Sequence, residues 1–216
     1  MTRSLNEIEA HAKRAARGAG LSWGLAEEAG RATRWLAFHG LAGPALLSEV
    51  LTKNDGLRHD QVAPVRLDGE WHAPAGDLCP LAAGAALNDY AEWLAEAHPL
   101  TMANVSNPLL VLPFAAWAAI HLNAPIQVGW QNLRIDTDGD RVWINDPDKD
   151  IDTSQAAAVT CQIASKRTDA GTLPGLRGTV TDQVWKKLDT FAQRTFAPAT
   201  AASRLLGAGA GVSDND

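Results

Sequence analysis

Apolar residues recur at helical spacing through the first 53 residues and predict a series of amphipathic helices. The motif Ser4-Leu-Asn-Glu7 is a capping-box pattern, so a first helix should begin there and end near Gly18 or Gly20. Ser22 can cap a second helix, which Gly40 should stop. Two helices joined by a short glycine turn predict a helical hairpin.

The pattern continues with a third helix and then changes character. The third helix is predicted to begin at Pro44 and to end at the turn 54–56. Residues 61–73 alternate enough to predict short strands, and residues 79–97 return to helical spacing. Residues 109–122 are almost continuously apolar, which favours a buried strand followed by a short helix.

The clearest strand pattern lies in the second half of the chain. Residues 126–135 and 141–144 alternate between apolar and polar positions, and the Asp-Gly turn in residues 137–140 joins them into a hairpin. Residues 157–165 add a third predicted strand, and residues 181–195 have the spacing of an amphipathic helix.

Together these elements predict a single α+β domain over residues 1–198. N-terminal helical hairpins should pack on a small, mainly antiparallel sheet, and a C-terminal helix should close the fold. Residues 199–216 form a glycine-rich C-terminal tail, with glycines at positions 207, 209 and 211. Because alternating glycines allow close backbone approach, we expect the tail to be ordered against the domain.

Composition narrows the class of protein. The 216 residues fit one domain, and 25 acidic against 19 basic residues argue against nucleic acid or an anionic membrane as the main partner. The start lacks the apolar core of a signal peptide, and the apolar stretch 108–122 is too short to span a bilayer. Cys79 and Cys161 form no disulfide framework, which suits a reducing compartment. Cys79, which precedes Pro80, could be a nucleophile, but a buried, inert thiol is favoured. A cytoplasmic location is therefore expected.

Carboxylates and histidines provide weak metal-binding patterns. The alternating aspartates in residues 136–140 resemble the start of a calcium loop, but Arg141 and Pro147 stand where glycine and glutamate are needed. A hairpin turn is therefore favoured there. The aspartates in residues 146–152 could hold a hard cation, although a solvated loop is favoured. The six histidines have no zinc-ligand spacing, so no metal site is predicted.

A cluster of charged and aromatic residues lies on the second predicted helix. Glu27, Arg31 and Arg34 share a face that is distinct from the apolar seam. They form either a set of surface ion pairs or, flanked by Trp23 and Trp35, a site for a ligand carboxylate or an acidic partner. Most of the eight tryptophans should be core residues, with one or two available for a ligand pocket.

Charged residues also flank the glycine run of the tail. The side chain of Asp214 or Asp216, or the terminal carboxylate, could dock on the arginines of the second helix and order the tail. The predicted ligand- or partner-binding residues are Trp23, Arg31, Arg34, Arg204, Asp214 and Asp216. The expected partner is a small carboxylate ligand or a protein.

The chain resembles an uncharacterised bacterial family, domain of unknown function 3726. The resemblance rests on residues 4–10, on the segment 18–31 that includes the Gly-Leu-Ser-Trp-Gly motif, and on the closing residues 202–216. It implies that the tail belongs to the fold. It carries over no catalytic residue, because no activity is attached to the family.

A shorter segment is similar to the N-terminal region of the type-2 malate and L-lactate dehydrogenases. Residues 5–40 run through two helices into Phe38-His39-Gly40, where that family has Ser-His-Gly. This resemblance implies an enzyme in which His39 acts as acid or base, Arg31 or Arg34 holds a substrate carboxylate, and a nicotinamide cofactor or a 2-hydroxy or 2-oxo acid binds. Without the resemblance, His39 has a structural explanation, since a helix C-terminus favours a protonated imidazole.

The sequence contains no Walker loop, GxGxxG or GxSxG motif, so no cofactor is assigned. The favoured hypothesis is a cytoplasmic, non-catalytic accessory or small-ligand-binding protein. The alternative is the small-molecule enzyme acting on a carboxylate substrate.

Overall fold

The computed structural model describes residues 2–96, 98–146, 151–164 and 180–196. Its helices are α1 (Leu5–Gly18), α2 (Trp23–Phe38), α3 (Gly43–Lys53), α4 (His59–Val62), α5 (Pro80–Asp89), α6 (Ala91–Ala95), α7 (Leu112–Leu122) and α8 (Asp182–Gln193). Its strands are β1 (Leu100–Ser106), β2 (Ile126–Trp130), β3 (Leu133–Thr137), β4 (Val142–Ile144) and β5 (Gln155–Ile163). The predicted α+β class, with N-terminal helical hairpins and an antiparallel sheet, is confirmed.

Capping side chains start the helices where the sequence predicted them. The Ser4 hydroxyl accepts the N–H of Glu7, and the Glu7 carboxylate accepts the N–H of Ser4, which completes the capping box of α1. Ser22 caps α2, and Thr181 caps α8 by accepting the N–H of Val184. These local hydrogen bonds satisfy backbone donors that have no partner inside the helix.

Small residues bring α1 and α2 close together. Both helices bury alanines completely, including Ala12, Ala15, Ala29 and Ala32. At Gly30 a Cβ atom would come within 2.9 Å of a backbone oxygen of α1, so a larger residue there would push the helices apart. The close approach fixes the position of the polar faces of the two helices relative to each other.

The sheet has the strand order β1-β5-β2-β3-β4, and every neighbouring pair is antiparallel. Helix α7 packs on β2 and β3, while α5 and α6 contact β1 and β5. Helix α2 packs on α5 and α7, and α8 packs on α1 and α3. The N-terminal hairpin therefore reaches the sheet mainly through α5 and α7.

Two predicted strand regions adopt other structures. Residues 61–73 contain the end of α4 and a loop, in which Trp71 makes a single-residue parallel bridge to Met102. Residues 108–111 form a 3₁₀ turn that leads into α7 instead of a strand. Pro113 is tolerated as the second residue of α7, because the first-turn N–H groups have no helical partner. The continuously apolar sequence of residues 109–119 agrees with this structure, because nearly all of these side chains are buried.

The hairpin prediction is partly correct. The Asp-Gly turn does join two strands, β3 and β4. The run 126–135, however, is two strands, because the chain turns at Gln131, which adopts a left-handed φ of 52°. Strand β1 was not predicted, whereas β5 and α8 lie close to the predicted bounds.

The last described helix ties the two ends of the described chain together. Gly18 lies against the backbone of Phe191 in α8, with no room for a side chain between them. Arg194 donates two hydrogen bonds to the carboxylate of Asp55, at 2.6 and 2.9 Å. No helix among the described residues is both long and apolar enough to cross a membrane.

Candidate functional site

A surface cleft of about 360 Å³ opens where α1, α2 and α7 meet. We call it the α2 cleft, because four of its seven lining residues belong to that helix. The lining residues are Leu5, Glu9, Arg31, Arg34, Trp35, Phe38 and Trp117. A second cleft of about 510 Å³, formed by residues 2–6 and Arg34, adjoins it.

Helical spacing explains why these side chains share one face. Arg31, Arg34, Trp35 and Phe38 stand at i, i+3, i+4 and i+7 on α2, and such positions lie above one another on a helix surface. Leu5 and Glu9 of α1 have the same i, i+4 relation, and Trp117 comes from α7. The predicted grouping of Arg31, Arg34 and Trp35 is therefore present in the geometry.

Arg31 is held by an aromatic ring. Its guanidinium carbon lies 4.7 Å from the ring centroid of Trp117, which is a favourable cation–π distance. Trp117 in turn contacts Phe114 edge-on, with ring centroids 4.9 Å apart. Among the described residues Arg31 forms no ion pair with a carboxylate. Its charge is thus positioned at the cleft, where Glu27 and Glu28 interact with it electrostatically but form no direct ion pair with it.

Arg34 has a different environment from Arg31. Its Nη1 atom lies 3.1 Å from Oε2 of Glu9 on α1, and both side chains are partly exposed. Glu27, which the sequence predicted as an ion-pair partner on this helix face at four-residue spacing from Arg31, pairs instead with Lys13 and interacts with Arg31 only through a smaller electrostatic effect. The hydrogen bond from Lys13 lowers the pKa of the Glu27 carboxyl. Arg34 is therefore already balanced by one carboxylate within the cleft.

Trp23 lies away from the predicted cluster. It is the first residue of α2, and eight residues of helix separate it from Arg31 by about 12 Å. Its ring is 67% exposed and lies 4.9 Å from the guanidinium carbon of Arg17. Trp117, which the sequence did not single out for this site, takes the place that the prediction gave to Trp23.

His39 lies behind the cleft and does not line it. The ring is almost fully buried and packs against Trp35 and Phe38, with centroid distances of 4.1 and 5.1 Å. Burial lowers the pKa of His39, and the nearby Asp140 carboxylate only partly opposes this shift. Burial thus favours the neutral imidazole and opposes the protonated state that was expected at the end of the helix.

Other predicted positions do not join this cleft. Arg204, Asp214 and Asp216 lie outside the described residues. Asp138 closes the β3–β4 turn by accepting the N–H groups of Asp140 and Arg141, as the hairpin-turn interpretation predicted. In the described ranges, no group of three or more histidine, cysteine or acidic residues is placed to hold a metal ion.

Both cysteines are buried, free thiols. Burial raises the pKa of Cys79 and raises that of Cys161 to about 12. Cys79 lines a separate, mostly apolar cavity of about 240 Å³, which is also lined by the α1–α2 turn, the start of α2, the α3–α4 connection and α4. Its hydrogen bonds from Ala82, Leu81 and Asn54 only partly offset the effect of burial on its pKa. These environments agree with the prediction of inert thiols.

Comparison with known proteins gives a partial family match and assigns no activity. None of the curated proteins matches the sequence. Among solved structures, malate dehydrogenase from Entamoeba histolytica aligns with a TM-score of 0.43 and 11% identity. The alignment covers 69% of this chain and 46% of that one, and a likeness this weak carries no functional argument. The model of the family described as "Protein of unknown function (DUF3726)" matches residues 3–79, which end at the residue before α5. The match includes two of the segments that carried the sequence resemblance, residues 4–10 and 18–31, and does not extend to residues 202–216.

Proposed function

We propose that this protein binds a small molecule bearing a carboxylate in the α2 cleft, and that it acts as a non-catalytic ligand-binding protein. The observation that carries the proposal is the state of Arg31. It is an exposed guanidinium that lies on the Trp117 ring and lines a cleft, and it forms no direct ion pair among the described residues, although Glu27 and Glu28 are near enough to interact with its charge. We further propose a cytoplasmic location, on the strength of the two free, buried cysteines.

The chemistry of the lining residues suits a carboxylate. A guanidinium presents parallel N–H donors that match the two oxygens of a carboxylate. The rings of Trp35, Phe38 and Trp117 line the same cleft as this charge and offer apolar surface to the body of a ligand. A ligand that covers this surface would shield its carboxylate from water, which strengthens a charge-assisted hydrogen bond. A volume of about 360 Å³ lies at the lower end of ordinary ligand sites, so the ligand should be small.

Isothermal titration calorimetry with the full chain tests this function. The probes are monocarboxylates, dicarboxylates, 2-hydroxy acids and 2-oxo acids, each compared with its primary amide. We expect at least one carboxylate to bind and its amide to bind at least tenfold more weakly. Arg31→Gln should weaken carboxylate binding by tenfold or more, because a charge-assisted hydrogen bond is lost.

Arg66→Gln is the matched control for Arg31→Gln. Arg66 is exposed, pairs with Asp68 and lies outside the cleft, so its substitution should not change affinity. If no carboxylate binds, or if Arg31→Gln binds as tightly as the unmodified chain, the proposed function is wrong. A protein partner would then be the next hypothesis to examine by pull-down.

The enzyme alternative has one observation in its favour. The His39 imidazole contacts two of the lining rings, and burial lowers its pKa, which favours the neutral form that can accept a proton. In this hypothesis Arg31 or Arg34 holds the substrate carboxylate and His39 acts as acid or base. Oxidation of 2-hydroxy acids with a nicotinamide cofactor is the assay, and unchanged turnover in His39→Ala would exclude this site.

The role of the tail stays a prediction. We propose that an acidic group of the tail, Asp214 or Asp216, competes for or completes the arginine site on α2. Removal of residues 205–216 should then change carboxylate affinity while most of the fold remains. A truncated chain that binds the same probes with unchanged affinity would exclude this role.

A further inference from the structure

We infer that the α2 cleft selects a monocarboxylate with an aromatic body over dicarboxylates and short hydroxy acids. This inference rests on the proposed function, because it specifies the ligand class of the same cleft. Three features carry it: the charge balance of the lining residues, the aromatic surface beside Arg31, and the packing behind that surface.

The charges that line the cleft favour the binding of one carboxylate over the binding of two. Two arginines and one glutamate line it, and Glu9 pairs with Arg34 at 3.1 Å. Among the described lining residues, Arg31 is therefore the charged side chain without a direct ion pair, and Glu27 and Glu28, which interact with its charge, lie outside the lining. A second ligand carboxylate would meet either Glu9 itself or an arginine that Glu9 already neutralises. Like charges brought together in this way reduce affinity, so dicarboxylates should be discriminated against.

The apolar lining of the cleft consists mainly of aromatic rings. Phe38 keeps 57% of its surface exposed although it stands beside Trp35 in a concave site. A ligand ring placed against Phe38 and Trp35 would bury this surface and allow stacked or edge-on ring contacts. A short hydroxy acid has too little apolar surface to gain from these contacts.

The aromatic surface is held in place from behind. His39 packs against both Trp35 and Phe38, and the indole N–H of Trp35 donates to the carbonyl of Gly139 at 3.4 Å. The Trp117 ring already carries the Arg31 guanidinium. The cleft thus combines the Arg31 guanidinium held at Trp117 with the aromatic rings of Trp35 and Phe38, a combination that matches a carboxylate attached to a ring.

The first experiment compares phenylacetate with lactate and succinate by calorimetry on the full chain. We expect phenylacetate to bind at least tenfold more tightly than either of the others. Phe38→Ala should reduce the preference for phenylacetate over lactate by about tenfold, because one ring contact is lost. Phe196→Ala is the matched control, since Phe196 is 61% exposed and lies outside the cleft. The preference of the Phe196→Ala variant for phenylacetate over lactate should equal that of the unmodified chain.

The second experiment tests the charge balance with Glu9→Gln. This substitution leaves Arg34 without its carboxylate partner, so the affinity for succinate relative to phenylacetate should rise by about tenfold. Thermal unfolding verifies that the Phe38 and Glu9 variants fold, which is expected since neither side chain is buried.

The outcomes separate this inference from the function on which it rests. If lactate or succinate binds as tightly as phenylacetate, or if Phe38→Ala leaves the preference unchanged, the aromatic ligand class is wrong while carboxylate binding stands. If Glu9→Gln leaves the affinity for succinate relative to phenylacetate unchanged, the argument from charge balance is wrong. Absence of binding by every carboxylate would overturn both the inference and the proposed function.

Discussion

Replacement of Gly84 by alanine should destabilise the protein, although alanine is the better helix former. Gly84 lies within α5 and faces α7, where a Cβ atom would come within 2.8 Å of three ring carbons of Phe114. Phe114 is completely buried, so its ring cannot move into solvent to relieve the overlap. Overpacking of this kind costs about 1–3 kcal/mol. Helix propensity returns up to about 1 kcal/mol, so we expect a net loss of about 1–2 kcal/mol.

Gly24→Ala provides the matched control for this prediction. Gly24 is also helical, but a Cβ atom there would meet no atom within 4 Å. The same change should therefore stabilise the protein by up to about 1 kcal/mol. Urea unfolding of both variants measures the difference, which corresponds to a shift in Tm of about 2–4 °C for each kcal/mol. A Gly84→Ala variant as stable as the unmodified chain would refute the packing argument.

The same substitution should also affect the α2 cleft. Phe114 contacts Trp117 edge-on at 4.9 Å, and Trp117 carries the guanidinium of Arg31. A displaced Phe114 ring would move Trp117 and the charge that lies on it. We therefore expect weaker carboxylate binding in Gly84→Ala than in Gly24→Ala, at a temperature where both variants are folded.

Three further predictions concern stability and reactivity. Burial lowers the pKa values of His11 and His39, so the unfolded chain takes up protons first as the pH falls below about 6.5. The free energy of unfolding in urea should consequently be smaller at pH 5.5 than at pH 7.5. If the free energy of unfolding of a His11→Gln, His39→Gln double variant falls by as much between these pH values as that of the unmodified chain, the explanation is wrong. Ser22→Ala removes the hydroxyl that accepts the N–H of Leu25 and should cost about 1 kcal/mol in urea unfolding, whereas Ser22→Asp should retain most of the stability. Cys161, with its pKa raised to about 12, should react with Ellman's reagent at pH 8 only after unfolding, and rapid reaction of the folded protein would disprove its burial.

Local signals in the sequence were sufficient for the elements that they cap. Ser4, Ser22 and Thr181 each accept a backbone N–H of the following helix, so the starts of α1, α2 and α8 could be predicted. The β2–β3 turn could not, because Gln131 adopts a left-handed conformation that its residue type disfavours. Tertiary packing also determines the secondary structure of residues 108–122, because a continuously apolar run is compatible with either a strand or a buried helix.

The candidate cleft shows the same division between local and distant information. The positions of Arg31, Arg34 and Trp35 follow from the period of a helix, and the sequence placed them together. Trp117 comes from a helix that begins more than seventy residues after α2 ends, and no local pattern links it to Arg31. The eight tryptophans suggested that one or two could line a pocket, but their spacing gave no means of choosing Trp117 over Trp23.

The contact between Gly18 and Phe191 has a consequence for how the chain acquires its structure on the ribosome. About 170 residues separate these two positions, so at ordinary synthesis rates roughly 10–35 s pass before α8 can be made after α1. During that interval the surface of α1 that α8 covers is open to water and to other nascent chains. The region that matches the family, residues 3–79, therefore lacks a permanent cover for its first helix until nearly all of the described chain has been translated.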